Sequence, residues 1–134
     1  MKQFVTDTHP IVWHLTDSPQ LSLKAKQIFE GGDRGENQIF IPSIVLVEIV
    51  YLAEKTRIDP LLIDTLLNLL SASPSNYLVA PLNLETVMAM RGIDPQLVPD
   101  MPDRIIVATA KTLNAPLISR DQQIAKAGIV KVIW

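Results

Sequence analysis

The sequence predicts an α/β fold in the form of a three-layer α/β/α sandwich around a central parallel sheet. Two observations predict it. Short apolar runs alternate along the chain with longer segments of helical pattern, which is typical of parallel strands joined by helices. The 134 residues also contain no internal repeat and no linker, so residues 1–134 are expected to form a single domain.

Short apolar runs predict five strands, and helical patterns predict the helices between them. The strands are expected near residues 2–6, 37–41, 77–80, 116–119 and 129–133. The helices are expected at 8–15, 21–30, 42–57, 59–70, 83–91 and from 103 onward. Gly31 and Gly32 are expected to end the second helix. Asp59-Pro60 opens the fourth, because proline is well tolerated in a first helical turn. The prolines within 92–102 predict a loop before the helix that is expected from residue 103 onward.

Composition narrows the class of protein. Hydrophobic residues make up 48% and charged residues 19% of the chain, which is typical of a globular protein. There is no cysteine, so disulfides, thiolate metal sites and cysteine nucleophiles are excluded. Neither a signal-peptide core nor an uncharged run of about 18 residues is present, which predicts a cytoplasmic protein without a membrane span. The net charge of −2 argues against nucleic-acid binding by overall basicity.

Four carboxylates stand where apolar segments meet predicted helices or lie within one: Asp7, Glu48, Asp103 and Asp121. Asp7 and Asp121 follow predicted strands, and Asp103 opens a helical run. Each of these aspartates has an alternative role as a helix N-cap, a position that aspartate favours. Ligands bind beyond the carboxyl ends of parallel strands. We therefore expect the aspartates to converge on one crevice, whether or not they also cap helices.

Glu48 lies too far inside its helix to be an N-cap. Its helical neighbours three and four residues away are mainly apolar: Ile44, Val45, Tyr51 and Leu52. An ionised carboxylate buried there without a partner would cost several kcal/mol or stay protonated. A salt bridge to an arginine or lysine, or a protonated core glutamate, is one explanation. The other is a divalent cation shared with the aspartates.

A shared cation explains both the cluster and its ionisation, because crowded carboxylates raise one another's pKa unless a cation lies among them. Ligands that are all oxygen favour Mg²⁺ or Mn²⁺ over Zn²⁺. Such an ion lowers the pKa of water and stabilises developing charge on a phosphate. Hydrolysis of a phosphodiester is the chemistry that this pattern indicates.

Other motifs are less informative. His9 and His14 are not at the i, i+4 spacing of a helical zinc pair and are interpreted as polar or packing residues. No Gly-x-Gly-x-x-Gly, Gly-Lys-Ser/Thr or nucleophile-elbow pattern is present. Arg104 and Arg120 adjoin site aspartates and are candidates for contact with a substrate phosphate, or for surface salt bridges.

Four spaced motifs resemble those of the PIN-domain nucleases, and most of all those of the small single-domain toxins of VapBC-type toxin–antitoxin systems. The motifs are Val5–His9, Pro42–Glu48, Asp100–Ala110 and Leu117–Asp121. They occur in the family's order and cover nearly the whole chain, which makes them far more specific than any one acidic residue.

The resemblance implies a metal-dependent endoribonuclease that uses Mg²⁺ or Mn²⁺, cleaves RNA, is silenced by a cognate antitoxin and usually forms a homodimer. It implies that Asp7, Glu48 and Asp103 are the main metal ligands. Asp121 is implied as a fourth acid, acting directly or through water. Thr8 follows the first aspartate as in the family. The resemblance also implies a supporting role for Ser119, at a position where the family commonly has threonine or serine.

The chain departs from the family at one motif. Members often have His-Arg-Asp before the Asp-Arg motif, and the corresponding residues here are Val98-Pro99-Asp100. Loss of the basic pair implies a change of substrate preference. Asp100 is a candidate to support or replace Asp103. We favour Asp103 as the ligand, because the helix pattern and Arg104 are in register with it.

Two other functions remain open. A PIN-fold protein outside a toxin–antitoxin system, acting as a non-catalytic interaction module in RNA metabolism, would bind no metal. A phosphatase that forms an aspartyl-phosphate on Asp7 usually has an acid two residues on, where this chain has His9.

The leucine-rich segment at 61–70 carries too many apolar positions for one narrow helical stripe. Together with the preceding helix, it is expected to form an apolar groove for a homodimer mate or an antitoxin helix. Full burial between neighbouring helices is the alternative.

Overall fold

A five-stranded parallel sheet lies at the centre of the protein, flanked by helices. The computed structural model describes residues 1–134. The strands are β1 (Lys2–Thr6), β2 (Asn37–Pro42), β3 (Tyr77–Ala80), β4 (Leu117–Ile118) and β5 (Val132–Ile133). The helices are α1 (Thr8–Leu15), α2 (Leu23–Asp33), α3 (Ser43–Glu54), α4 (Leu61–Ser71), α5 (Leu84–Met90), α6 (Met101–Leu113) and α7 (Gln122–Ala127). The predicted α/β/α fold with a central parallel sheet is confirmed.

The strand order β3-β2-β1-β4-β5 places β1 in the middle of the sheet. The chain adds β2 and β3 on one side of β1 and then crosses over to add β4 and β5 on the other. Val5 pairs in parallel with Leu117, and Thr6 with Ile118. The strands β1 and β4 therefore end side by side at the point where the strand order reverses. In open parallel sheets, the crevice at such a point is where ligands bind.

The helix α6 anchors the core beside this crevice. It contains six consecutive buried residues, Ile105–Ala110. Ile106 has no exposed surface, and the helix packs against β1, α3 and α5. Its first turn is thereby held close to the end of β1. No helix of the protein combines the length and apolar character needed to cross a membrane.

The helix α2 does not end at Gly31 and Gly32, so that prediction is wrong; it continues to Asp33. Both glycines face the sheet. A Cβ atom on Gly32 would lie 3.0 Å from Cγ1 of Ile39 in β2, and one on Gly31 would overlap the side chain of Asn37. These glycines allow the helix to approach the strands closely, which is a packing role rather than a helix stop.

The helix α6 begins earlier than predicted, at Met101. Asp100 is its N-cap and accepts a hydrogen bond from the backbone N–H of Asp103 at 3.3 Å. The prediction that Asp103 opens the helix is therefore wrong, because Asp103 lies within the first turn. The helix α3 ends at Glu54 rather than near residue 57, and Thr56 beyond it has a left-handed φ of 56° that no α-helix contains.

Candidate active site

Asp7 joins the end of β1 to the start of α1. Its backbone N–H donates to the carbonyl oxygen of Ile118 at 2.9 Å, which continues the pairing of β1 with β4. Asp7 Oδ1 accepts a hydrogen bond from the backbone N–H of Thr8 at 2.7 Å, so Asp7 is the N-cap of α1. Its Oδ2 accepts one from Ser119 Oγ at 2.7 Å. Burial raises the pKa of Asp7, and these hydrogen bonds partly offset the rise.

Ser119 ties the end of β4 to two of the carboxylates. The residue is only 1% exposed, and its Oγ donates to Asp7 while accepting from the backbone N–H of Asp121 at 3.1 Å. Asp121 is the N-cap of α7, because its Oδ1 accepts from the N–H groups of Gln123 and Ile124 at 2.8 and 3.1 Å. Its other carboxylate oxygen remains free for the cleft.

Glu48 reaches the same place from the middle of α3. Its Oε1 accepts a hydrogen bond from Oγ1 of the buried Thr8 at 2.7 Å. Burial raises the pKa of the half-buried Glu48, and the charges of Asp7 and Asp100 raise it further against the lowering effect of Thr8. The salt bridge considered for Glu48 does not form. The two ion pairs of the structure lie elsewhere, at His14–Asp33 and Arg34–Glu36.

Asp103 has the largest pKa shift among the carboxylates of the cleft. Burial raises the pKa of Asp103 to about 7, and the nearby charges of Asp7, Asp100, Asp121 and Glu48 add to the rise. No donor offsets the rise, because the Asp103 carboxylate accepts no hydrogen bond; the capping bond to Asp100 uses only the backbone N–H of Asp103. A strongly perturbed carboxylate in a cleft is a typical mark of a functional site.

All four predicted acids line one open cleft of about 410 Å³. The lining residues are Asp7, Thr8, His9, Pro10, Trp13, Glu48, Asp103, Arg120 and Asp121. The sequence interpretation missed Trp13 and assigned His9 no role in the cleft. A signal for both was available: they are four residues apart on the helix that Asp7 caps, so they share one helical face.

Of the four predicted supporting residues, only Thr8 lines the cleft; Ser119 lies buried behind Asp7, and Arg104 and Asp100 lie outside the cleft. Arg104 directs its guanidinium away from it, and Nη2 donates to the carbonyl oxygens of Met90 and Ile93 at 2.8 and 3.2 Å. This position gives no support to a contact between Arg104 and substrate. Asp100 caps α6 and acts on the cleft only through its charge.

The donor chemistry of the cleft suits a hard divalent cation. Its acidic side chains offer oxygen atoms only, and Arg120 is the one permanent cation among the lining residues. The carboxylates do not already converge on a single point, because no three acidic or histidine side chains have the spacing of a formed metal site. Binding an ion would therefore require side-chain rotation. Glu48 and Asp103 have the freedom for it, since each keeps at least one carboxylate oxygen without a donor.

The sequence matches the family model of the PIN domain over residues 4–130. The chain belongs to the PIN-domain family. PIN domains as a family are nucleases. In this PIN domain, the four acids meet in one cleft. No curated protein gives a significant match to the sequence.

Several solved structures share the fold of this PIN domain. VapBC2 from Rickettsia felis, bound to a promoter DNA fragment, has a TM-score of 0.74 and 18% identity, covering 98% of this chain and 97% of that one. A toxin–antitoxin complex from Klebsiella pneumoniae has a TM-score of 0.66 and 22% identity, covering 97% and 95%. A domain of a functionally unknown protein from Methanocaldococcus jannaschii has a TM-score of 0.59 and 24% identity, covering 100% and 91%. At these sequence identities, the likeness shows a shared fold alone.

We expect the PIN domain to lose stability as pH rises when a chelator is present. Burial raises the pKa of Asp7, Glu48 and Asp103, so each holds its proton more tightly in the folded chain than in the unfolded one. The stability that they contribute is complete below their unfolded pKa of about 4. This stability is lost as the pH rises through the pKa values of the folded chain. For Asp103, that pKa is about 7.

Thermal unfolding in EDTA at about pH 5 and about pH 8 measures this effect. We expect the lower melting temperature at the higher pH, and a smaller difference in the Asp103→Asn variant. A melting temperature that rises over this interval would contradict the account of the cleft.

Proposed function

We propose that this PIN domain is a metal-dependent endoribonuclease that hydrolyses RNA phosphodiester bonds in the cytoplasm, and that it is the toxin of a type II toxin–antitoxin pair. One observation carries the proposal. Four carboxylates line a single cleft at the topological switch point of the sheet: two follow the strands β1 and β4, and two lie in the helices α3 and α6. Only one permanent cation accompanies them.

Asp7, Glu48 and Asp103 would hold a Mg²⁺ or Mn²⁺ ion, with Asp121 acting as a fourth acid directly or through water. When bound, the ion would offset the carboxylate charge, lower the pKa of water in its shell and stabilise negative charge on the phosphate. RNA is proposed as the substrate because the spaced acidic motifs resemble those of the VapBC-type toxins.

Two hydroxyl groups of the chain orient the acids. Ser119 Oγ holds one oxygen of Asp7, and Thr8 Oγ1 holds one oxygen of Glu48. Each hydroxyl belongs to a nearly fully buried residue, so it fixes one carboxylate oxygen, while the second oxygen of Glu48 stays free to turn towards an ion. Such outer contacts typically change metal affinity or activity by about 10–100-fold when removed.

The proposed activity is tested with a labelled single-stranded RNA and the purified chain. We expect cleavage with Mg²⁺ or Mn²⁺, no cleavage in excess EDTA, and recovery when the metal is restored. Cleavage that continues undiminished in EDTA would overturn the metal dependence.

One observation favours a second candidate, a non-catalytic interaction module: no three acids have the spacing of a formed metal site. Metal titration by calorimetry separates the two functions. Binding of Mg²⁺ or Mn²⁺ supports the nuclease, whereas a chain that binds neither ion and cleaves no RNA supports the interaction module.

The partners that we propose are a cognate antitoxin and a second copy of the chain. The similar structures from Rickettsia felis and Klebsiella pneumoniae are toxin–antitoxin assemblies. In this chain α4 buries Leu62 and Leu66 but leaves Leu61 and Leu67 exposed, at 67% and 52%. The outer face of α3 exposes further apolar side chains: Val47, Val50 and Tyr51. These exposed apolar side chains of α3 and α4 are where we propose that the partner helix or subunit packs.

We expect the Leu67→Glu variant to weaken association by about tenfold or more, because it places a charge in the apolar surface. Sedimentation of the chain, alone and co-expressed with its antitoxin, gives the dissociation constants. Asn68→Glu is the matched control, since it adds the same charge at the next, exposed residue of α4. Equal dissociation constants for the two variants would exclude this part of α4 from the interface.

A further inference from the structure

An aromatic cluster borders the acidic cleft and is not used by the proposed metal site. The ring of Trp13 on α1 lies 5.5 Å from that of His9 and 5.8 Å from that of Trp134, measured between centroids. The guanidinium carbon of Arg120 lies 5.6 Å from the Trp13 centroid. The rings of His9 and Trp134 are tilted relative to Trp13.

The topology brings these residues to the same edge of the sheet as the acids. Arg120 follows β4 and directly precedes Asp121, and Trp134 follows β5, whose Ile133 pairs with Ile118 of β4. Trp13 belongs to the helix that Asp7 caps. Trp13 and Arg120 line the cleft together with the four carboxylates, so a chain bound there would meet both.

Charge alone cannot hold a nucleic acid in this cleft. Affinity for a phosphate backbone normally comes from several lysines and arginines, whereas the lining residues here include four carboxylates and one arginine. Even with a bound cation, the local charge would offer a polyanion little attraction. Proteins that bind single strands without strong basicity obtain affinity from bases stacked on aromatic side chains, with arginine adding a cation–π contribution.

We propose that Trp13 and Arg120 form a stacking platform that binds one unpaired base of a single-stranded RNA beside the bond to be cut. The inference rests on the proposed ribonuclease function and names how that site holds its substrate. Trp13 is half-buried and backed by Trp134, so its ring is fixed while part of it faces the cleft. Arg120 is exposed, so its guanidinium can stack on the base or turn to the adjoining phosphate.

The platform is tested by the fluorescence of Trp13. The chain has two tryptophans, so Trp134→Phe leaves Trp13 as the only one. This variant is titrated, with Ca²⁺ in place of Mg²⁺, with a short single-stranded RNA of mixed sequence. A second titration uses an abasic RNA of the same length, which carries the phosphates and riboses without bases. We expect quenching of Trp13 by the first RNA and little by the second. Equal quenching by both, or none by either, would overturn the platform.

Binding constants from the anisotropy of labelled RNA give an independent readout. Trp13→Leu is expected to weaken RNA binding by roughly tenfold to a hundredfold, and Trp13→Phe by less, because phenylalanine still stacks. Arg120→Gln is expected to weaken binding of both RNAs. The Trp13→Phe variant and the quenching measurement keep the test decisive if Trp13→Leu does not fold. RNA affinity that is equal in wild type and Trp13→Leu would overturn the proposal.

Cleavage is measured separately with Mg²⁺, so the two proposals fail in different ways. If RNA quenches the fluorescence of Trp13 but the chain cuts no RNA, the result supports the platform and contradicts the ribonuclease function. A chain that cuts RNA with unchanged KM in the Trp13→Leu variant contradicts the platform alone.

Discussion

The Asp7→Asn variant is expected to lose RNA cleavage by at least about 100-fold while keeping its fold. Removing even an outer contact of a metal ligand can cost about that factor, and Asp7 is proposed as a ligand itself. The fold survives because an asparagine oxygen can still accept the N–H of Thr8 that caps α1. The Ser119 hydroxyl can turn to accept a hydrogen bond from the new amide.

The melting temperature of Asp7→Asn shows whether the loss of cleavage comes from the missing carboxylate or from an unfolded chain. Burial raises the pKa of Asp7, so ionising it disfavours the folded chain without metal. A neutral amide avoids that effect. In EDTA near neutral pH, the melting temperature of Asp7→Asn should therefore equal or exceed that of the wild type. Asp64→Asn, at an exposed residue in the first turn of α4, is the control and should keep full activity. Full cleavage by Asp7→Asn would contradict a catalytic role for Asp7.

The Ile106→Ala variant is expected to lower the free energy of unfolding by about 2–5 kcal/mol. Ile106 has no exposed surface and lies in the run of buried residues by which α6 packs on the rest of the domain. Truncation removes its apolar contacts in the core cluster and leaves a cavity that the surrounding side chains fill only in part. The effect is a large share of the roughly 5–15 kcal/mol typical of a domain.

Urea unfolding followed by circular dichroism measures this change. Leu84→Ala is the matched control, because Leu84 is 75% exposed, and its effect should stay within about 0.5 kcal/mol. A loss of less than about 1 kcal/mol in Ile106→Ala would show that α6 is not packed as described.

The fold and the meeting of the acids were predictable because both follow from local sequence pattern. Asp7 and Asp121 each follow a strand, and strands of a parallel sheet end at one edge, so their side chains had to lie near the same crevice. Glu48 was identified by its apolar helical neighbours, and the structure places it on Thr8 next to Asp7. Asp7 and Asp121 each cap a helix and also line the cleft, so the two roles that the sequence offered for them occur together.

The predictions that failed depended on contacts between distant segments. The glycines of α2 look like a helix stop until the side chains of Asn37 and Ile39 are seen against them. Asp100 and Asp103 both suit a helix N-terminus, and only the backbone decides which one caps it. The direction of Arg104 depends on the carbonyl groups of Met90, the last residue of α5, and of Ile93 beyond it. No local pattern records such pairings.

The binding of a divalent ion by Asp7, Glu48 and Asp103 is the central claim, and a crystal grown with Mn²⁺ tests it most directly. The anomalous difference map should show a peak between these three carboxylates, with Glu48 and Asp103 turned towards it. The same crystal form of Asp7→Asn should show a weaker peak or none. A wild-type map without a peak in the cleft, at saturating Mn²⁺, would contradict the account.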